Sequence, residues 1–281
     1  MAQPHIQLDG IGTIPASGPG DIAMTAQLQA AIDHAFVVFA PYAKRFSAQV
    51  CRCNSCFTEA DRDRLLKLPL RQIDGYLLDQ YSWSAHGHDD DGPLSDDLRY
   101  LLPRYFELFA LNDPKLHDAP ECNLMQLGRT AYRAAWPATE VEVIDRYFDA
   151  LLLACLANGN VEGGWSVGSG SRHRCALRLD DVLGMLICAG ADVPRLIGTL
   201  HAATGPAASL HLANLRFHLA ADGSETRLDN AHLERDFTDA ARAVGAFVVS
   251  AAATSRIEAT FFEAADPAAQ QLLSDALAMA Y

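Results

Sequence analysis

Apolar side chains recur at three- and four-residue spacing along most of this chain, the period of a helix that buries one face. From Thr25, the stripe Leu28, Ala31, Ile32, Ala35, Phe36 and Phe39 predicts a first helix, closed by Pro41. Thr58-Glu59-Ala60-Asp61 resembles a capping box with Asp in place of Glu, and it opens a short helix that stops before Pro69. Ile73, Tyr76, Leu77, Gln80 and Tyr81 carry the next helix. Ser95-Asp96-Asp97 starts another, with Leu98, Leu101, Leu102, Tyr105, Phe106 and Phe109 as its broad apolar face. Pro103 lies inside it and is expected to kink it or mark its true start, because an unrelieved internal proline costs about 3 kcal/mol. A shorter helix covers Asn123 to Ala134, and Trp136-Pro137 punctuates it.

Beyond that point the period is nearly continuous. Val141, Ile144, Phe148, Leu152 and Cys155 share a face that ends at Asn158-Gly159. Three stripes follow, from Leu179 to Gly190, from Leu196 to Gly205 and from Leu210 through Phe217 to Gly223, and each ends on a glycine that tolerates the left-handed cap conformation. A long helix is expected around Leu233 to Phe247, a short one near Ile257 and Phe261, and a last one at Asp266-Pro267, with proline in the first turn. No strand pair is predicted. The expected fold is all-α, with antiparallel helices packed as an α-solenoid-like (HEAT-like) stack or an irregular bundle. Residues 1–22, rich in proline and glycine, read as a flexible arm, 23–136 as an N-terminal helical region, and 137–281 as a C-terminal repeat-like region.

Composition narrows the partners more than the fold. Half of the 281 residues are hydrophobic and 20% charged, ordinary for a packed globular chain. The net charge of −13 and the lack of a Lys/Arg cluster give no footprint for nucleic acid or an anionic membrane. The first ten residues lack a basic stretch followed by an apolar one, so a cytoplasmic location is expected. Seven cysteines, an odd number and mostly scattered, argue against a disulfide framework.

Cys51-Arg52-Cys53-Asn54-Ser55-Cys56 carries the most pointed chemistry. Cys53 and Cys56 can offer two thiolates to one zinc ion, and His86 and His88 are the imidazoles available to complete a tetrahedron. The same pair can instead act as a redox dithiol at the start of the helix after Thr58, or as reduced thiols that close a loop against the first helix. The run His86-Gly87-His88-Asp89-Asp90-Asp91 reads as a solvated loop or a divalent-cation chelator. Gly163 to His173, with Trp165 at its centre, reads as a connector or a phosphate-wrapping loop. His201, His211 and His218 stand on successive helices without a companion nucleophile and read as core-edge or solvent histidines, not as bases.

Cys53-Asn54-Ser55-Cys56, Leu68-Pro69-Leu70-Arg71, Tyr81-Ser82 and Asp97 to Arg104 together resemble a family of uncharacterised bacterial all-helical proteins, over about residues 35 to 111. The resemblance implies a shared helical fold, not a mechanism, since the family has no known activity. Two functional classes follow from the residues. A cytoplasmic interaction or scaffold protein binding another protein or peptide would show an apolar or aromatic-lined concavity and no buried acid–base pair. A zinc-binding or thiol redox protein would bring Cys53 and Cys56 together with His86 or His88.

Overall fold

The computed structural model describes residues 6–8, 11–14, 24–50, 57–84, 94–111, 113, 116, 120–158, 178–223 and 225–279. Within them the chain is all-α apart from two short hairpins. Helix α1, Ala26–Phe39, starts where the Thr25 hydroxyl accepts from the Leu28 amide at 3.1 Å, and it buries Leu28, Ile32, Ala35 and Phe39 along one face. A 3-10 turn through Pro41 follows, because proline has no amide to continue the ladder. Helix α2, Glu59–Lys67, is capped as its sequence suggests: the Thr58 side chain accepts from the Asp61 amide and donates to the Asp61 carboxylate.

Helix α3, Gly75–Ser84, begins with the Asp74 carboxylate accepting from the Leu77 amide at 2.9 Å. Helix α4, Leu94–Ala110, runs through Pro103 instead of starting there. Leu101, Leu102, Tyr105, Phe106 and Phe109 are fully or almost fully buried around that proline, and their packing offsets the lost hydrogen bond. Helix α5, Pro120–Arg129, and the single turn α6, Tyr132–Ala135, take the place of the one helix expected over Asn123 to Ala134. The break is Ala131, held in the left-handed region at φ 47°.

Helix α7, Ala138–Ala157, is the central rod, with α1, α8 (Leu179–Cys188), α9 (Val193–Ala202) and α10 (Pro206–Arg216) packed against it. Helices α11 (Thr238–Val248), α12 (Ala251–Glu263) and α13 (Pro267–Ala278) complete the fold. The Asp266 carboxylate accepts from the Ala268 and Ala269 amides at the proline-led start of α13. Because α1 packs on α7 and α5 on α8, elements far apart in sequence lie side by side, which is the geometry of an irregular bundle. One apolar cluster runs from Leu28 to Val248 and includes Trp136, and a smaller one gathers Leu212, Ala213, Ile257, Leu273 and Ala276 under α10, α12 and α13.

The departures from expectation are the hairpins. Strands β1 (Ile6–Leu8) and β2 (Ile11–Ile14) pair antiparallel within the expected arm. Strands β3 (Leu219–Asp222) and β4 (Glu225–Leu228) pair antiparallel with Ala220 opposite Arg227, where a helix running to Gly223 was expected. Gly223, at φ 66°, turns the chain between strands; it does not end a helix. The helix expected from Leu233 starts only at Thr238, and β4 packs against it so closely that a β-carbon on Gly245 would stand 2.4 Å from the Thr226 carbonyl oxygen.

Candidate functional site

The four residues read as metal ligands, Cys53, Cys56, His86 and His88, lie outside the described residues, as do the polar run 86–91 and the 163–173 stretch with Trp165. The residues that flank the cysteines are fixed. Asp97, in the first turn of α4 and fully buried, accepts from the Ser47 amide at Oδ1 and from the Gln49 amide at Oδ2, both at 2.7 Å. Ala48 between them is buried at φ 49°, and Arg62 of α2 donates to the Ala48 and Ser47 carbonyls at 3.1 Å. The Tyr81 hydroxyl of α3 reaches Asp97 Oδ2 at 3.5 Å. One carboxylate thus joins the strand of chain entering the cysteine cluster to the two helices whose connection carries the histidines. Among the described residues, no group of three or more His, Cys, Asp and Glu side chains is placed to hold a metal ion.

A second polar cluster lies where α7, α8 and α10 meet. Asp180, buried in the first turn of α8, accepts at Oδ2 from Arg178 at 2.7 Å, with His218 Nδ1 at 3.5 Å from the same oxygen. Its Oδ1 finds no hydrogen-bond partner among the described residues. Burial, and then the neighbouring Asp181 charge, push its pKa up. His211, one side of α10 away, is buried with Nε2 2.8 Å from the Asn158 carbonyl at the end of α7, and burial pushes its pKa below the ordinary 6.5. Cys155 of α7 is buried nearby, its thiol raised to about 12 by burial and then by Asp180 and Asp181, which leaves it protonated and unreactive. Of the three histidines read as core-edge or solvent residues, His201 is exposed and His218 partly exposed, while His211 lies in the core. The Asp180–His218 pair is an acid–base pair that the interaction reading did not expect; its shorter contact is to Arg178, which closes the start of α8.

The third feature is the outer face of α3. Ile73, just ahead of the helix, and Leu77, Leu78 and Tyr81 point into the core, while Tyr76 and Trp83 are 42% and 56% exposed. The sequence pattern placed Tyr76 and Gln80 with the buried set; instead Tyr76, Asp79, Gln80 and Trp83 form the outward stripe at i, i+3, i+4 and i+7. That face sits on a locked base. The Ser82 and Tyr105 hydroxyls share a 2.6 Å hydrogen bond, and the Tyr105 hydroxyl donates to the Leu78 carbonyl at 2.8 Å. Asp79 accepts from the Gln80 side-chain amide at 3.3 Å and forms no ion pair among the described residues; burial, then Glu121 and then Asp79 raise the Cys122 thiol on the adjoining α5. Trp83 was missed in the sequence, although it falls two turns after Tyr76.

These features belong to an all-α bundle in which, among the described residues, no helix is long and apolar enough to cross a membrane. No protein-family model, curated protein or solved structure matches the chain, so no function reaches it from a relative.

Proposed function

We propose that this chain is a cytoplasmic protein-interaction module that docks a partner protein or peptide on the outer face of α3. The supporting observation is the exposed pair Tyr76 and Trp83, aligned on a helix whose inner face is hydrogen-bonded to α4. Large aromatic rings lose little side-chain freedom on binding and dominate the energy of interfaces, so a rigid pair of them is the form an anchor takes. The acidic surface adds selectivity, since it disfavours nucleic acid and other polyanions. Panning a random peptide library against the whole protein tests this reading. Enriched peptides are expected to lose about ten-fold or more in affinity for the Tyr76→Ala/Trp83→Ala variant, the scale of an aromatic anchor. Peptides that bind wild type and variant alike would remove α3 as the docking face.

A second reading, zinc or thiol chemistry at Cys53 and Cys56 with His86 and His88, is favoured by the Asp97 clamp. Gln49 and Tyr81 both reach Asp97, and they stand four and five residues before Cys53 and His86. At about 3.5 Å per residue, the four residues from Gln49 to Cys53 supply most of the reach, because α3 continues to Ser84 and His86 stands only two residues past its end. Elemental analysis of protein purified without a histidine tag, with thiol titration before and after chelation, decides it. Stoichiometric zinc and protected thiols support this reading; metal-free protein with freely reactive thiols rules zinc out.

A further inference from the structure

At three places this protein seats a guanidinium between an aromatic ring and a carboxylate, one largely covered and two at the surface. Arg99 lies 4.1 Å over the Trp136 ring while its Nε donates to Glu140 at 2.9 Å. Arg71 lies 3.8 Å over the Phe36 ring and pairs with Asp33 at 3.2 Å and with Glu107. Arg133 stands 5.2 Å over the Tyr132 ring with Asp145 as its counter-ion. The physical reason is shared: the negative face of the ring and the carboxylate attract the same cation, and the flat guanidinium satisfies both at once.

The outer stripe of α3 offers that combination to solvent. Tyr76 and Trp83 are about 10 Å apart along the axis at about 1.5 Å per residue, and Asp79 lies between them on the same face. No ion pair engages Asp79 among the described residues, whereas Asp74 at the base of α3 is paired with Arg64 at 3.4 Å. The net charge of −13 draws cations toward the molecule and repels another copy of it.

We propose that the partner segment bound by α3 is cationic: an amphipathic stretch bearing arginine or lysine, whose charged groups lie over Trp83 and Tyr76 with Asp79 as counter-ion. The inference rests on α3 being the docking face. It adds that the face selects positive charge.

The probes are three versions of one short amphipathic peptide whose polar positions are all arginine, all glutamine or all glutamate, each titrated into the full chain and followed by tryptophan fluorescence and calorimetry. The arginine peptide is expected to bind at least about ten-fold more tightly than the glutamine peptide, with the glutamate peptide weakest and the difference shrinking as salt is raised. Asp79→Asn is expected to cut the arginine peptide's affinity about three-fold, and Trp83→Ala about ten-fold or more. Both side chains are accessible to solvent, and unchanged melting temperatures would confirm that the variants fold. Equal binding of the arginine and glutamine peptides, with Trp83→Ala still weakening both, would overturn the charge selection and leave the docking face standing. Binding untouched by Trp83→Ala would overturn the face itself. Concentration-dependent dimerisation abolished by Trp83→Ala would assign the stripe to a second copy and overturn the proposal.

Discussion

Asp97 shows how much of this fold is held by single polar groups. Its carboxylate satisfies the Ser47 and Gln49 amides at 2.7 Å in a fully buried setting, so its removal leaves two donors orphaned, each at about 1–3 kcal/mol. Asp97→Ala is expected to lower the unfolding free energy by about 2–4 kcal/mol in a urea titration, and Asp97→Asn, which keeps one acceptor oxygen, by about half as much. A fully stable alanine variant would show that the clamp carries no load. His211 gives a pH dependence. Burial holds its folded pKa below 6.5, so its contribution is present above pH 6.5 and is lost as pH falls through the folded value. Asp180 has the opposite sign: its pKa is raised, so its contribution is present below the ordinary 3.8 and fades as pH rises through the folded value. The melting temperature of His211→Gln is expected to fall less than that of wild type between neutral and mildly acidic pH, and parallel curves would contradict the assignment. The sequence shows Asp97 only as part of a helix start and His211 only as one of three spaced histidines, and it gives no sign of Asp180. An aspartate in a first helical turn looks like ordinary macrodipole chemistry, and only the fold shows which backbone amides come to meet it.

Between elements, the close approaches are set by glycines. A β-carbon on Gly128 of α5 would stand 2.4 Å from the Cys188 carbonyl oxygen of α8, while one on Gly198, inside α9, meets nothing within 4 Å. Gly128→Ala is therefore expected to destabilise the protein by about 1–3 kcal/mol through overpacking, and Gly198→Ala to stabilise it by about 0.5–1 kcal/mol through helix propensity. Chemical denaturation of the two variants in parallel checks the pair; equal effects would mean that α5 and α8 are not in contact there. The helices themselves were legible because their caps are local: Thr25, Thr58 and Asp266 each start a helix in the structure as the sequence indicates. The hairpin over 219–228 is not legible in this way: its strands hold a single β-branched residue, Thr226, and Gly223, which follows the paired Asp222 and opens the turn, equally fits the end of a helical stripe. The face of α3 was misassigned for a related reason. Three- and four-residue steps from Ile73 admit both Tyr76 and Leu77, but the buried side of α3 is centred on Leu77, Leu78 and Tyr81, which leaves Tyr76 outside it.

For the whole molecule, spacing revealed the all-α class, and long-range packing fixed the arrangement. The contacts of α1 with α7 and of α5 with α8 cross wide stretches of sequence, and no periodic pattern in one chain encodes which apolar faces will meet. The chain is acidic, and besides the paired aromatics of α3 it exposes Phe262, 81% accessible on a different helix, α12. That contrast supplies the most direct measurement of the docking face: the affinity of a peptide selected on the wild-type protein, compared among wild type, Tyr76→Ala/Trp83→Ala and Phe262→Ala. A loss of about ten-fold or more is expected for the α3 pair, with an unchanged value for Phe262→Ala. A loss confined to Phe262→Ala, with the α3 variant binding as tightly as wild type, would contradict it.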